Sequence, residues 1–143
     1  MQNNNAVLSA RKCVPRGPGI LHCALALCAI RVALLTRGFH RTRQSVIRAV
    51  ESCAVIPGEH DGLVTRVTRT VAFCAALYPG RARCLEQSLT VYYLLRRCGV
   101  SVEWRLGVQP YRFKAHAWIE YKGRPVQERG RTEGMVCFPE MPA

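Results

Sequence analysis

The hydrophobic period of this chain changes once, at Gly99, and that change constrains the fold more than any other feature. Before it, apolar residues recur every three or four positions, the spacing of one helix face. "TRQSVIRAVESC" puts Val46, Ile47 and Val50 together, Val64, Val67, Val71 and Cys74 share a second face, and Leu85, Leu89, Tyr92 and Leu95 a third. After Gly99 the period is two, the spacing of a strand. In "SVEWRLGV" the residues Val102, Trp104, Leu106 and Val108 share a face. In "FKAHAWIEY" Phe113, Ala115, Ala117, Ile119 and Tyr121 share one face, and His116, Trp118 and Glu120 the other. Helices followed by an antiparallel meander define an α+β fold.

Local breakers divide the pattern. A first helix is expected from about Gly19 to Leu35, ending near Gly38, and a second over the segment that holds Val46. Pro57 and Gly58 break the chain, and Asp61 can cap a third helix that Pro79-Gly80 ends. The helix from Cys84 closes with Arg96 and Arg97 in its last turn, where cations complement the dipole, and with Gly99 beyond it. "QPYR" joins the first two strands and "YKG" leads into a third, "RPVQE". The chain of 143 residues holds one domain. Residues 1–16 are expected to form a flexible N-terminal segment, and 17–143 a single domain with its helical part over 17–98 and its sheet part over 100–130.

The net charge of +12 comes mostly from arginines spread along the chain. Such a surface attracts nucleic acid, anionic lipid or acidic peptide alike, and charge alone does not choose. No RNA-binding signature, zinc-finger spacing or aromatic-interleaved basic stripe is present, so nucleic acid is not the expected partner. The eight cysteines include no C-x-x-C pair, and several lie inside apolar helix-like runs. They read as buried free thiols of a reducing, cytoplasmic compartment, with no metal site and no cofactor. "GILHCALALCAIRVALL" meets Arg31 and falls short of the ~20 residues a spanning helix needs. It reads as a buried or surface-docking helix, with membrane association through it left open; a signal peptide would need a cleavage site, and no persuasive one follows.

Cys84 is the one cysteine that opens a helix, with Arg81 and Arg83 just before it. Thiol reactivity needs the thiolate, which unpaired helix N-terminal amides and nearby cations favour. Cys23, Cys28, Cys53 and Cys74 lie in or late in helices and read as packing residues, and Cys98 sits at a helix C-terminus, where the dipole opposes ionisation. A thiolate enzyme also needs a histidine base and a group to orient it. His22 reads as a core histidine, and His40 and His60 fall in loops. His116 sits mid-strand; alone, it reads as a residue of a solvated sheet face. If Tyr121-Lys122-Gly123 forms a three-residue loop, Glu120 opposes Arg124 and His116 opposes Glu128, which makes base and carboxylate cross-strand neighbours. A two-residue Lys122-Gly123 turn puts Glu128 on the wrong face. Asp61, the lone aspartate, is the runner-up for the third role, although capping suits it better.

"RCLEQSLTVYYLLRRCGVSVEWRLGV" followed by "FKAHAWIEYKGRPVQE" resembles the transglutaminase-like leader peptidases of lasso-peptide biosynthesis. The resemblance covers about Gly80 to Glu128 and rests on the R-C-L opening, the L-L-R-R-x-G exit, the A-H-A-W-x-E strand and the G-R-P turn. It implies a papain-like fold related to transglutaminases, with Cys84 as nucleophile, His116 as base and Glu128 in a place that relatives often fill with aspartate. The implied reaction is hydrolysis of one peptide bond in a ribosomally made precursor, which frees the core's N-terminal amine for an ATP-dependent lasso cyclase. The N-terminal leader-recognition module of some relatives is not expected here, so the implied partners are the precursor's leader, a separate small leader-recognition protein and the cyclase. Two rivals stand beside this reading: an acyltransferase or ligase with the same triad, and a non-catalytic basic scaffold or nucleic-acid-binding protein with Cys84 as a structural thiol.

Overall fold

The computed structural model describes residues 17–80, 84–110, 114–126 and 134–138. Three helices, α1 (Ile20–Glu51), α2 (Asp61–Leu77) and α3 (Cys84–Arg97), precede four strands, β1 (Glu103–Gln109), β2 (Lys114–Tyr121), β3 (Arg124–Pro125) and β4 (Val136–Cys137). The strands form one antiparallel sheet in the order β3-β2-β1-β4. The α+β architecture expected from the change of period is the one observed.

Each helix buries the face that its spacing defines. Cys23 and Leu27 of α1, Val64, Val67, Val71 and Cys74 of α2, and Val91, Leu94 and Leu95 of α3 form one core, closed on the sheet side by Val100, Val102 and Ile119. A second cluster joins Ile30, Val46 and Leu89, with Trp104 and Leu85 against it. In the register of β1 with β2, Trp104 pairs with Ile119, Leu106 with Ala117 and Val108 with Ala115. Trp104 donates its indole N–H to Ser88 Oγ of α3 at 3.0 Å, which anchors this face of the sheet to the helix. Leu89 and Leu95 are buried as expected, while Leu85 and Tyr92 are half-buried at the margin.

The two expected N-terminal helices run on as α1 without an intervening loop, and the break falls at Gly38, with φ 76° and ψ 174°. A side chain strains such a backbone and glycine does not. Thr42 Oγ1 donates to Gly38 O at 2.8 Å just beyond the kink. The new direction brings the Phe39 ring to 5.9 Å, centroid to centroid, from that of Trp104.

Three expectations are corrected. Asp61 is the first residue of α2 and makes no side-chain cap; its carboxylate pairs with Lys122 Nζ at 3.3 Å, and Lys122 also meets Glu59 at 3.4 Å. The β2–β3 connection is the two-residue turn, with Tyr121 opposite Arg124 and Glu120 opposite Pro125, and both Lys122 (φ 52°) and Gly123 (φ 71°) left-handed. The alignment of His116 with Glu128 is conditional on the three-residue loop, and Glu128 itself lies outside the described residues. Glu120 pairs with Arg105 of the neighbouring strand at 3.3 Å, in place of the expected Arg124. β4, two residues long, adds a strand that period alone does not signal.

Candidate active site

Cys84 is the first residue of α3, and it follows a chain reversal at Pro79-Gly80 that sequence reading marked as a helix stop. His116 lies on β2, opposite Gly107 of β1. Both line one cavity of about 160 Å³, with Phe39, Leu85, Leu106, Ala115 and Ala117. Phe39 arrives through the Gly38 kink, Leu106 and the two alanines through the sheet face that packs on α3, and Leu85 through the helix itself. Among the described residues, β3 pairs Arg124 and Pro125 with Tyr121 and Glu120 of β2, and Val126 N donates to Ile119 O at 3.0 Å. Cys84 and His116 thus border one mostly apolar cavity, and the alternation of β2 sets the His116 side chain on the sheet face opposite that of Ala115 and Ala117.

The sheet face of His116 is ordered by a second set of contacts. The Trp118 ring lies 13° from parallel to the imidazole, with centroids 6.0 Å apart. Trp118 Nε1 donates to Glu120 Oε1 at 3.0 Å, and Glu120 Oε2 accepts from Arg105 Nε at 3.3 Å. Arg105 also bonds Glu103. Trp118 is only 2% exposed, so this face is not the solvated one that a lone histidine suggested. Gly107 makes this possible: a Cβ there would lie 2.9 Å from Trp118 Cη2 and 3.3 Å from Met135 Cβ.

Of the sequence-predicted residues, the structure brings Cys84 and His116 to one cavity. Glu128, Arg81 and Arg83 lie outside the described residues. Asp61, tied to Lys122, does not line the cavity. Sequence reading missed Phe39, whose signal was the glycine before it. It placed Trp118 on the His116 face and did not find its link to Glu120. Among the described residues the cysteines are free thiols, with Cys23 and Cys74 buried, and no group of three or more His, Cys, Asp or Glu forms a metal site.

The Transglutaminase-like superfamily model matches residues 24–136. No curated protein and no solved structure matches the chain. The chain belongs to the Transglutaminase-like superfamily, which includes cysteine peptidases and acyltransferases. A core of helices, a helix opening on cysteine and a curled antiparallel sheet carrying histidine agree with that membership.

Proposed function

We propose that this protein is a cysteine peptidase that removes the leader from a ribosomally made lasso-peptide precursor before macrocyclisation. The observation that carries a thiol–imidazole reaction is the shared cavity of Cys84 and His116 in a transglutaminase-like domain. The leader-peptidase specificity rests on the A-H-A-W-x-E and R-C-L motifs. In this reading the Cys84 thiolate attacks the scissile carbonyl, and its own backbone N–H at the start of α3 helps hold the oxyanion. His116 protonates the leaving amine and then activates the water that resolves the thioester. Glu128 is assigned the orienting role on the resemblance alone. The partners are the leader, a separate small leader-recognition protein and an ATP-dependent cyclase. The free thiols favour a cytoplasmic setting.

Contrary to the expectation that this run is too short to span, the continuous helix α1 is by length and composition long and apolar enough to cross a membrane, with mean hydropathy 1.8. Cys23, Leu27 and Ile30 bury its inner face, while Leu21, Leu25, Val32 and Leu35 lie exposed. Any membrane association of this helix would therefore use its outer face.

The test is co-incubation with precursor and leader-recognition protein, with products read by mass spectrometry. The native enzyme yields leader and core as hydrolysis products, and Cys84→Ala yields neither. Cleavage by the alanine variant ends the nucleophile assignment. A product joined to an amine, without gain of water, turns the reading to the acyltransferase.

A further inference from the structure

Arg31 interrupts the apolar run of α1, and the structure shows where it goes. Its Nη1 donates to Gly80 O at 3.1 Å and lies 3.5 Å from Glu86 Oε2. Its guanidinium carbon is 4.8 Å from the centre of the Tyr78 ring. Gly80 lies four residues before Cys84 and Glu86 two residues after it. The Glu86 carboxylate side chain is 11% exposed, so a negative charge is held out of water in the first turn of α3. Arg31 is 49 residues from Gly80 in sequence, and this one side chain ties α1 to the chain on both sides of Cys84.

We propose that Arg31 is the positioning residue of the nucleophile. It holds the start of α3 in place through Gly80 and Tyr78, and it balances the Glu86 charge in the same helical turn as Cys84. Both tasks suit a guanidinium, which offers several donors in one plane and stacks on a ring. A lysine ammonium is a single strongly hydrated point and meets only the charge requirement. The role rests on Cys84 being the nucleophile. It predicts that replacing Arg31 lowers turnover more than substrate binding, since Arg31 does not line the cavity.

The experiment measures iodoacetamide labelling of Cys84 by peptide mass spectrometry, with Cys53 as internal reference, and precursor cleavage kinetics in parallel. The variants are Arg31→Leu, Arg31→Lys, Glu86→Gln and the double variant Arg31→Leu/Glu86→Gln, each checked for a cooperative melt. Arg31→Leu is expected to slow Cys84 labelling and kcat by about tenfold or more, with KM within about twofold. Arg31→Lys is expected to recover part of that loss. The double variant is expected to label faster than Arg31→Leu alone, because removing Glu86's charge removes what Arg31 offsets. Wild-type labelling and kcat in a folded Arg31→Leu protein overturn the proposal, as does a double variant no faster than the single one. If Arg31→Leu does not fold, Arg31→Lys decides: labelling and kcat at the wild-type level overturn the positioning role. Labelling needs no precursor, so a protein whose Cys84→Ala variant still cleaves refutes the peptidase mechanism separately.

Discussion

The indole of Trp118 and the imidazole of His116 lie nearly parallel, 13° apart, with the indole N–H bound to Glu120. The Trp118 ring, tied to the Glu120 carboxylate, is thus the aromatic neighbour of the imidazole on this sheet face. Trp118→Leu removes the plate and is expected to lower kcat/KM by about tenfold to a hundredfold, the scale of a misplaced catalytic group. Trp118→Phe keeps a flat ring without the N–H and is expected to lose less. Cleavage kinetics with the precursor rank the two; equal rates for both variants and wild type would exclude an orienting role.

Gly107 faces His116 across the ladder and leaves room for the Trp118 ring. The added methyl of Gly107→Ala meets two ring carbons at 2.9 and 3.0 Å, and Trp118 is too buried to swing clear. Overpacking of this kind costs about 1–3 kcal/mol. The melting temperature should fall accordingly, and activity should fall with it because the displaced ring is the one beside His116. A variant as stable as wild type would show that the ring is free to shift.

The helices, their buried faces and both long strands were legible because each announces itself in local period: Val67 and Val71 one turn apart, Leu106 and Val108 two residues apart. Cys84 and His116 stood out for the same reason, one at a helix start and the other in a strand. What was illegible depends on partners distant in sequence. Arg31 reads as a flaw in an apolar run until Gly80 and Glu86 close around it. Asp61 reads as a cap until Lys122 takes its carboxylate from 61 residues away. "YKG" is compatible with two loop lengths, and the ladder, through Tyr121 and Arg124, selects the shorter.

Cys23 is fully buried, and desolvation pushes its thiol up to about 11, with Cys74 and Cys98 nearby adding to the effect. In the unfolded chain this thiol ionises near its ordinary 9.0. The folded state thus holds the proton more tightly, and the associated stability is fully present below pH 9 and lost as pH rises toward 11. Denaturant midpoints should fall across that window in the wild type and fall less in Cys23→Ala, once each is referred to its own value at pH 8. Identical pH slopes would remove Cys23 from the account.

Two carboxylates are candidates for orienting His116. Glu120 is placed on the imidazole's own face, where it accepts the indole N–H of Trp118. Glu128 is assigned by resemblance and lies outside the described residues. Amide substitutions keep size and remove charge, so they compare the two directly. If Glu128 orients the imidazole and stabilises its charged form, Glu128→Gln should lower kcat by up to about 10⁴-fold, the scale of replacing the orienting aspartate of a serine triad by its amide. Glu120→Gln, which still accepts the indole N–H through its amide oxygen, should cost less than about tenfold by the same comparison. The reverse order, measured with one precursor at one pH, would move the orienting role to Glu120 and make Arg105, its ion-pair partner, part of the same relay of contacts.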